Sequence, residues 1–193
     1  MQGVVIKECG RNQAKPFLEE FHYDGFGREM KFAYMAEKGS VVICVAKFCS
    51  QGRQGIAASV GLGASDILEL DRFCIHNKHN EANLGSFLMS KFIKKVKKDY
   101  PQVKAIVSFA DPAHGHHGGL YQASNWKLVG KTSSSYYYEA PDGGTIKKKA
   151  FYNFLKKHTK PQGMSEAQIA REMGLQKVKT PPKWKYLYSF DRS

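Results

Sequence analysis

The chain has 193 residues, 42% of them hydrophobic, enough for a packed core, and no apolar run approaches the length of a membrane span. Its four cysteines show no paired metal-ligand spacing and lie mostly in strand-like apolar context, which predicts free buried thiols in a reducing compartment. A formal charge of +13 points to an anionic partner, for which nucleic acid is the commonest candidate in a chain with no signal peptide or membrane signature.

In chain order, residues 4–8 read as a first strand and 12–22 as a helix that closes on His22-Tyr23. Residues 31–37 and 41–48 form a hairpin about Gly39-Ser40. The Gly-rich stretch 50–65 is weakly patterned and reads as a mobile loop. It lacks the Gly-Lys-Ser/Thr ending of a phosphate loop. Residues 67–75 form an apolar strand interrupted by Asp71-Arg72. Neighbours on a strand face opposite ways, so one of these charges points inward, and a site or an ion pair must explain it.

The junction 80–86, Asn-Glu-Ala-Asn-Leu-Gly-Ser, leads from strand to helix. Asn83, Gly85 and Ser86 there suit a phosphate at a helix start, and ordinary capping explains the same residues. In the helix 83–100, Leu84, Leu88, Phe92 and Val96 share a face and the lysines occupy the other. Residues 104–110 form a strand that ends at Asp111. His114, His116 and His117 follow, then a short helix, 119–124, carrying Tyr121. A strand end of this kind places a carboxylate and a phenol where ligands bind in open α/β sheets. The histidines with Asp111 read either as a metal-ligand set or as a flexible Gly/His loop, and Tyr121 as a general acid or a substrate-orienting group.

Strands 126–132 and 135–140 complete a core of residues 1–140, and Pro141-Asp-Gly-Gly144 turns the chain into a basic extension, 141–193, packed on that core. Lys147, Lys148, Lys149, Lys156, Lys157 and Lys160 interleave with Phe151, Tyr152 and Phe154, the pattern of a nucleic-acid surface. Lys183, Lys185 and Arg192 add to it near the end. Residues 165–173 form a helix capped by Ser165 and closed by Gly174. Pro181-Pro182 forbids the recognition helix that a helix-turn-helix would place next. The fold class is therefore α+β (mixed α/β), with antiparallel hairpins early and a β-α-β unit later.

Asp71-Arg72, Val107-Ser-Phe-Ala-Asp111, Gly118-Gly-Leu-Tyr-Gln-Ala-Ser-Asn-Trp126 and Gly130 together resemble the Mom family of phage DNA-modifying proteins. The likeness extends to His22-Tyr23 and to Pro182-Lys-Trp-Lys-Tyr186. It implies an acetyltransferase-like (GNAT) fold, a central mixed β-sheet flanked by helices. It implies an enzyme that adds a carbamoylmethyl group to N6 of adenine in DNA, protecting it from restriction in the cytoplasm of an infected host. On this resemblance His22, Tyr23, Asp71, Asp111 and Tyr121 are catalytic and Arg72, Asn83, Gly85 and Ser86 hold the donor. Tyr23 and Asp111 are candidate iron ligands. The acetyltransferase signature Arg/Gln-x-x-Gly-x-Gly/Ala is reduced to Gly85, so the donor is an acyl-CoA or a glycyl carrier such as a charged tRNA. Adenine inside a duplex is beyond the reach of a buried site, so base flipping is expected. An acyl-CoA-dependent N-acetyltransferase of proteins or small amines, and a noncatalytic nucleic-acid-binding protein on a degenerate transferase fold, are the alternatives.

Overall fold

A computed structural model describes residues 2–50, 55–79, 81–158 and 163–190. Asn80, Lys160, Arg192 and residues 51–54 of the Gly-rich stretch lie outside them. The chain divides into two compact units. One comprises Met1–Ala110, Gly118–Gly130 and Lys185–Ser193, the other Asp111–His117 and Lys131–Trp184. The boundaries between these units include Gly130/Lys131 and Trp184/Lys185.

In the first unit, β1 (Val4–Cys9), β2 (Phe32–Lys38), β3 (Val41–Ser50) and β4 (Ile67–Ile75) pair antiparallel in succession. The helix α1 (Arg11–Phe21) follows β1, and α2 (Leu84–Asp99) carries the chain from β4 to β5 (Ala105–Ala110). β5 is parallel to β4, which requires such a crossover. The seven-stranded sheet runs β1-β2-β3-β4-β5-β10-β6, where β6 is Lys127–Lys131 and β10 is Trp184–Ser189.

Strand parity explains how the two large helices cover this sheet. Ala33 and Met35 of β2 pack with Ala14, Phe17 and Leu18 of α1. Phe32 and Tyr34 point the other way, and Tyr34 stacks on Phe92 of α2, its ring centroid 6.4 Å from that of Phe92. α2 buries Leu84, Leu88, Met89, Phe92, Ile93 and Val96, the stripe its sequence predicts. All four cysteines are free and buried, and burial pushes Cys9, Cys49 and Cys74 up to about 11, out of the reactive range.

The Gly-rich stretch differs from the expected mobile loop over its described part. Ile56 and Ala57 are buried against Ile67, Ala105 and Val107. Val60 and Leu62 pack against the same cluster and anchor the run further.

The second unit holds a three-stranded antiparallel sheet, β8 (Thr145–Lys147), β7 (Ser135–Glu139) and β9 (Gln176–Thr180), in the order β8-β7-β9. The helices α4 (Lys148–Lys157) and α5 (Glu166–Glu172) pack on it through Tyr138, Phe151, Ile169 and Ala170. Ser165 caps α5, its hydroxyl accepting from Gln168 N, and β9 stands where a recognition helix would have to be. The small helix α3 (Gly119–Ala123) belongs to the first unit.

Candidate active site

β4 and β5 share a short parallel ladder, Ile67–Glu69 with Ala105–Val107, and both strands continue past it, to Ile75 and Ala110. Just beyond the ladder, Ser108 Oγ donates to Leu70 O at 2.7 Å and lies 2.8 Å from Tyr121 Oη. The serine hydroxyl has one proton, already given to Leu70, so Tyr121 donates to Ser108. Burial raises the Tyr121 phenol above its ordinary value. The Ser108 bond opposes that rise, while Tyr186 and Glu69 add to it. Tyr121 therefore keeps its proton at neutral pH. Its ring stacks on Tyr186 at 5.0 Å, and Gln122 Nε2 donates to Tyr186 Oη at 3.0 Å. Gly118 opens α3 at φ +85°, and a Cβ there would lie 2.1 Å from Tyr186 Oη. The glycine lets the helix start against this ring.

His22 caps the C-terminus of α1, its Nδ1 accepting from Asp24 N at 3.1 Å. The rings of His22 and Tyr23 stack at 4.5 Å, and Tyr23 is 50% exposed. The segment after them is tied to the sheet by ions. Arg72 donates to Gly25 O and to Asp24 Oδ2, each at 2.9 Å. Asp71 has Arg28 Nε on one oxygen at 3.1 Å, and Lys47 Nζ at 2.7 Å and Arg72 at 3.4 Å on the other. Burial alone would raise the Asp71 carboxyl. The Lys47 hydrogen bond and the charges of Arg72, Lys47 and Arg28 overcome that and hold it below the usual carboxylate range. His22, Tyr23, Asp71 and Arg72, far apart in sequence, thus meet in one network. Both side chains of the 71–72 pair are nearly buried, Asp71 among cations and Arg72 against Asp24 and Gly25 O.

Asn83 is the left-handed N-cap residue of α2, with φ 63°, and Ser86 Oγ donates to Asn83 O at 3.1 Å. A Cβ on Gly85 would lie 3.0 Å from Leu120 Cδ1, so this glycine serves the close approach of α2 and α3.

In the second unit, Asp111 is 7% exposed and caps a short turn, 112–114. One carboxylate oxygen accepts from Ala113 N at 3.1 Å, and the other pairs with Lys183 Nζ at 2.5 Å. His114, His116 and His117 are exposed along the same turn. Among the described residues, no group of three His, Cys, Asp or Glu side chains is placed to hold a metal ion. Asp111 faces an ammonium and an amide, both donors, and that set does not fit iron. Tyr23 belongs to the first unit and Asp111 to the second.

Lys147, Lys148, Lys149, Lys156 and Lys157 are exposed on and beside α4, together with Tyr152 and Phe154. Lys156 lies over the Tyr152 ring at 4.9 Å. Lys183 is engaged by Asp111, and Lys185 belongs to the first unit, 3.5 Å from Ser59 Oγ. Sequence reasoning missed Lys47, Arg28, Ser108 and Tyr186. Lys47 left one trace, as the residue that breaks the apolar run 41–48.

Comparison with known structures shows the fold. The ribosomal-protein-S18-alanine N-acetyltransferase from Escherichia coli aligns over 98% of this chain and 96% of its own at 10% identity, with a TM-score of 0.54. An acetyl-CoA-bound putative acetyltransferase from Salmonella typhimurium aligns over 100% and 96% at 11% identity, with a TM-score of 0.53. The fold is that of the GNAT acetyltransferases. In sequence, the methylcarbamoylase Mom of Escherichia phage Mu is 36% identical over 70 residues, which span 36% of this chain and 29% of that relative. The Mom protein family model matches residues 3–193. The chain belongs to the Mom protein family.

Proposed function

We propose that the protein is a DNA-modifying transferase that places a carbamoylmethyl group on N6 of adenine, acting in the cytoplasm of a phage-infected host. The observation that carries this reading is the end of the β4–β5 ladder beside Tyr121, in a chain of this family. Where the pairing of two parallel strands stops while both run on, main-chain groups beyond it suit an extended donor chain bound in β-fashion. The acetyl-CoA carried by a structural neighbour and the methylcarbamoylase name of the phage Mu relative support a group transfer there. The proposed donor is an acyl-CoA or a glycyl carrier, and Arg72, Asn83, Gly85 and Ser86 are the residues proposed to hold it.

The N6 amine of adenine is a weak nucleophile because its lone pair is delocalised into the ring, so transfer needs an activated donor and a base. The new N6–carbon bond forms as the donor's bond to its carrier breaks, and N6 gives up a proton. Tyr121, which keeps its proton, is suited to protonate the leaving carrier. The exposed, stacked His22-Tyr23 pair is suited to receive a flipped base. His22, in the same unit as Tyr121, is the proposed acceptor of the N6 proton. The lysines of α4 hold DNA phosphates.

The test is to express the chain in bacteria, digest their DNA to nucleosides and measure masses. An adenosine adduct heavier by one carbamoylmethyl group, absent with Tyr23→Phe and with His22→Ala, is the expected result. Unmodified DNA together with acetyl-CoA turnover on peptides or amines would overturn it in favour of an ordinary N-acetyltransferase.

A further inference from the structure

Lys47 lies within β3 and is 0% exposed. Burying an ammonium is costly unless each of its three donors finds an acceptor. The carbonyls of Phe26 and Arg28 accept from it and Asp71 Oδ2 pairs its charge, the Arg28 and Asp71 oxygens each 2.7 Å away. The β3–β4 register shifts at this point. Lys47 pairs with Arg72 and Phe48 with Leu70, leaving Asp71 as the extra residue of β4. Bulges of this kind re-aim side chains.

The consequence falls on the segment that bears His22 and Tyr23. Arg72 takes Gly25 O and Asp24 Oδ2, while Lys47 takes Phe26 O and Arg28 O. Two cations from neighbouring strands thereby hold the main chain of a segment with no regular structure of its own. Gly27 lies so close that a Cβ would sit 2.2 Å from Arg72 Nη2, and its φ is +74°. An apolar residue at position 47 would serve the sheet better, since its neighbours Ala46 and Phe48 are buried. The lysine is explained by what it holds.

We infer that Lys47 is a positioning residue: with Asp71 and Arg72 it fixes the main chain of residues 22–28, so that His22 and Tyr23 are presented in one arrangement. Only the effect on turnover rests on the DNA-modifying reading. The clamp itself can be judged without it.

The experiment compares the full chain with Lys47→Met and with the double variant Lys47→Met/Asp71→Leu. The single variant leaves Asp71 buried with one cation fewer and is at risk of misfolding. The double variant removes both charges, and Arg28 keeps Glu69 while Arg72 keeps Asp24. Hydrogen–deuterium exchange is read in peptides covering residues 22–30 and, as internal reference, 41–48 and 67–75. In the double variant, exchange of 22–30 is expected to quicken about tenfold with the reference strands unchanged. Single-turnover modification of DNA is expected to fall about a hundredfold while DNA affinity stays the same. Unchanged exchange in 22–30 would overturn the clamp, as would general loss of protection in the double variant, which would make the pair a determinant of the whole fold. A loosened segment with unchanged turnover would overturn the positioning role. If the parent chain yields no adenine adduct, the DNA-modifying reading falls and the exchange data alone decide.

Discussion

At the scale of single residues, the hydroxyl of Ser108 joins a strand carbonyl to the phenol of Tyr121. Ser108→Ala leaves Leu70 O and the buried Tyr121 hydroxyl each short of a partner. Leaving a buried polar group unsatisfied costs about 1–3 kcal/mol, so urea denaturation should show a loss of that order. Asp71 makes the second prediction. Its folded value is lowered, so its contribution to stability is present above the unfolded value of about 3.9 and is lost as pH falls through the lower folded value. Thermal melts of the parent and of Asp71→Asn should therefore differ at neutral pH and converge in strong acid. A gap that persists when Asp71 is protonated would show that its charge is not what stabilises the segment. Strand parity let an inward charge be read at Asp71-Arg72 without saying which residue bears it. The lysine that pairs with Asp71 could not be read. A lone lysine in an apolar strand looks the same whether its head reaches water or is walled in, and the carbonyls that receive it lie 21 and 19 residues upstream, beyond any local pattern.

At the scale of elements, α2 was legible because six apolar residues keep its helical period and all are buried. α4 was not, because Phe151 is its only buried residue and lysines crowd both ends. β9 likewise alternates lysine with Val178 and Thr180 and buries none of its residues fully. These elements owe their form to the small core around Tyr138, a tertiary contact rather than a pattern in their own sequence. α4 also runs against its own electrostatics. Its first turn carries Lys148 and Lys149 and no acid, at the end of the helix where the dipole favours anions. Replacing Lys149 by Glu should stabilise the protein by about 0.3–1 kcal/mol in a chemical melt. The same substitution should weaken DNA binding. Opposite signs in the two measurements are the mark of a residue whose place is set by its ligand. A variant that gains stability with no loss of affinity would remove α4 from the proposed DNA surface.

At the scale of the whole molecule, the +13 charge opposes folding. On the proposed reading a flipped adenine is one base and accounts for few of these cations. The rest are explained if they displace counterions along the DNA backbone. Each phosphate so neutralised contributes about 0.9 to the slope of log affinity against log salt. Replacing Lys149, Lys156 and Lys157 by Ala should therefore lower that slope by about two to three, uniformly over DNA of different sequence. Fluorescence anisotropy with duplexes of matched length and varied sequence measures it across a salt series. The same triple variant should still form the adenine adduct at low salt, because none of the three is proposed to take part in the transfer. An unchanged slope would mean that these lysines do not meet phosphate, and the excess charge would then need a different anionic partner. Loss of the adduct at saturating DNA would instead place α4 in the transfer step itself.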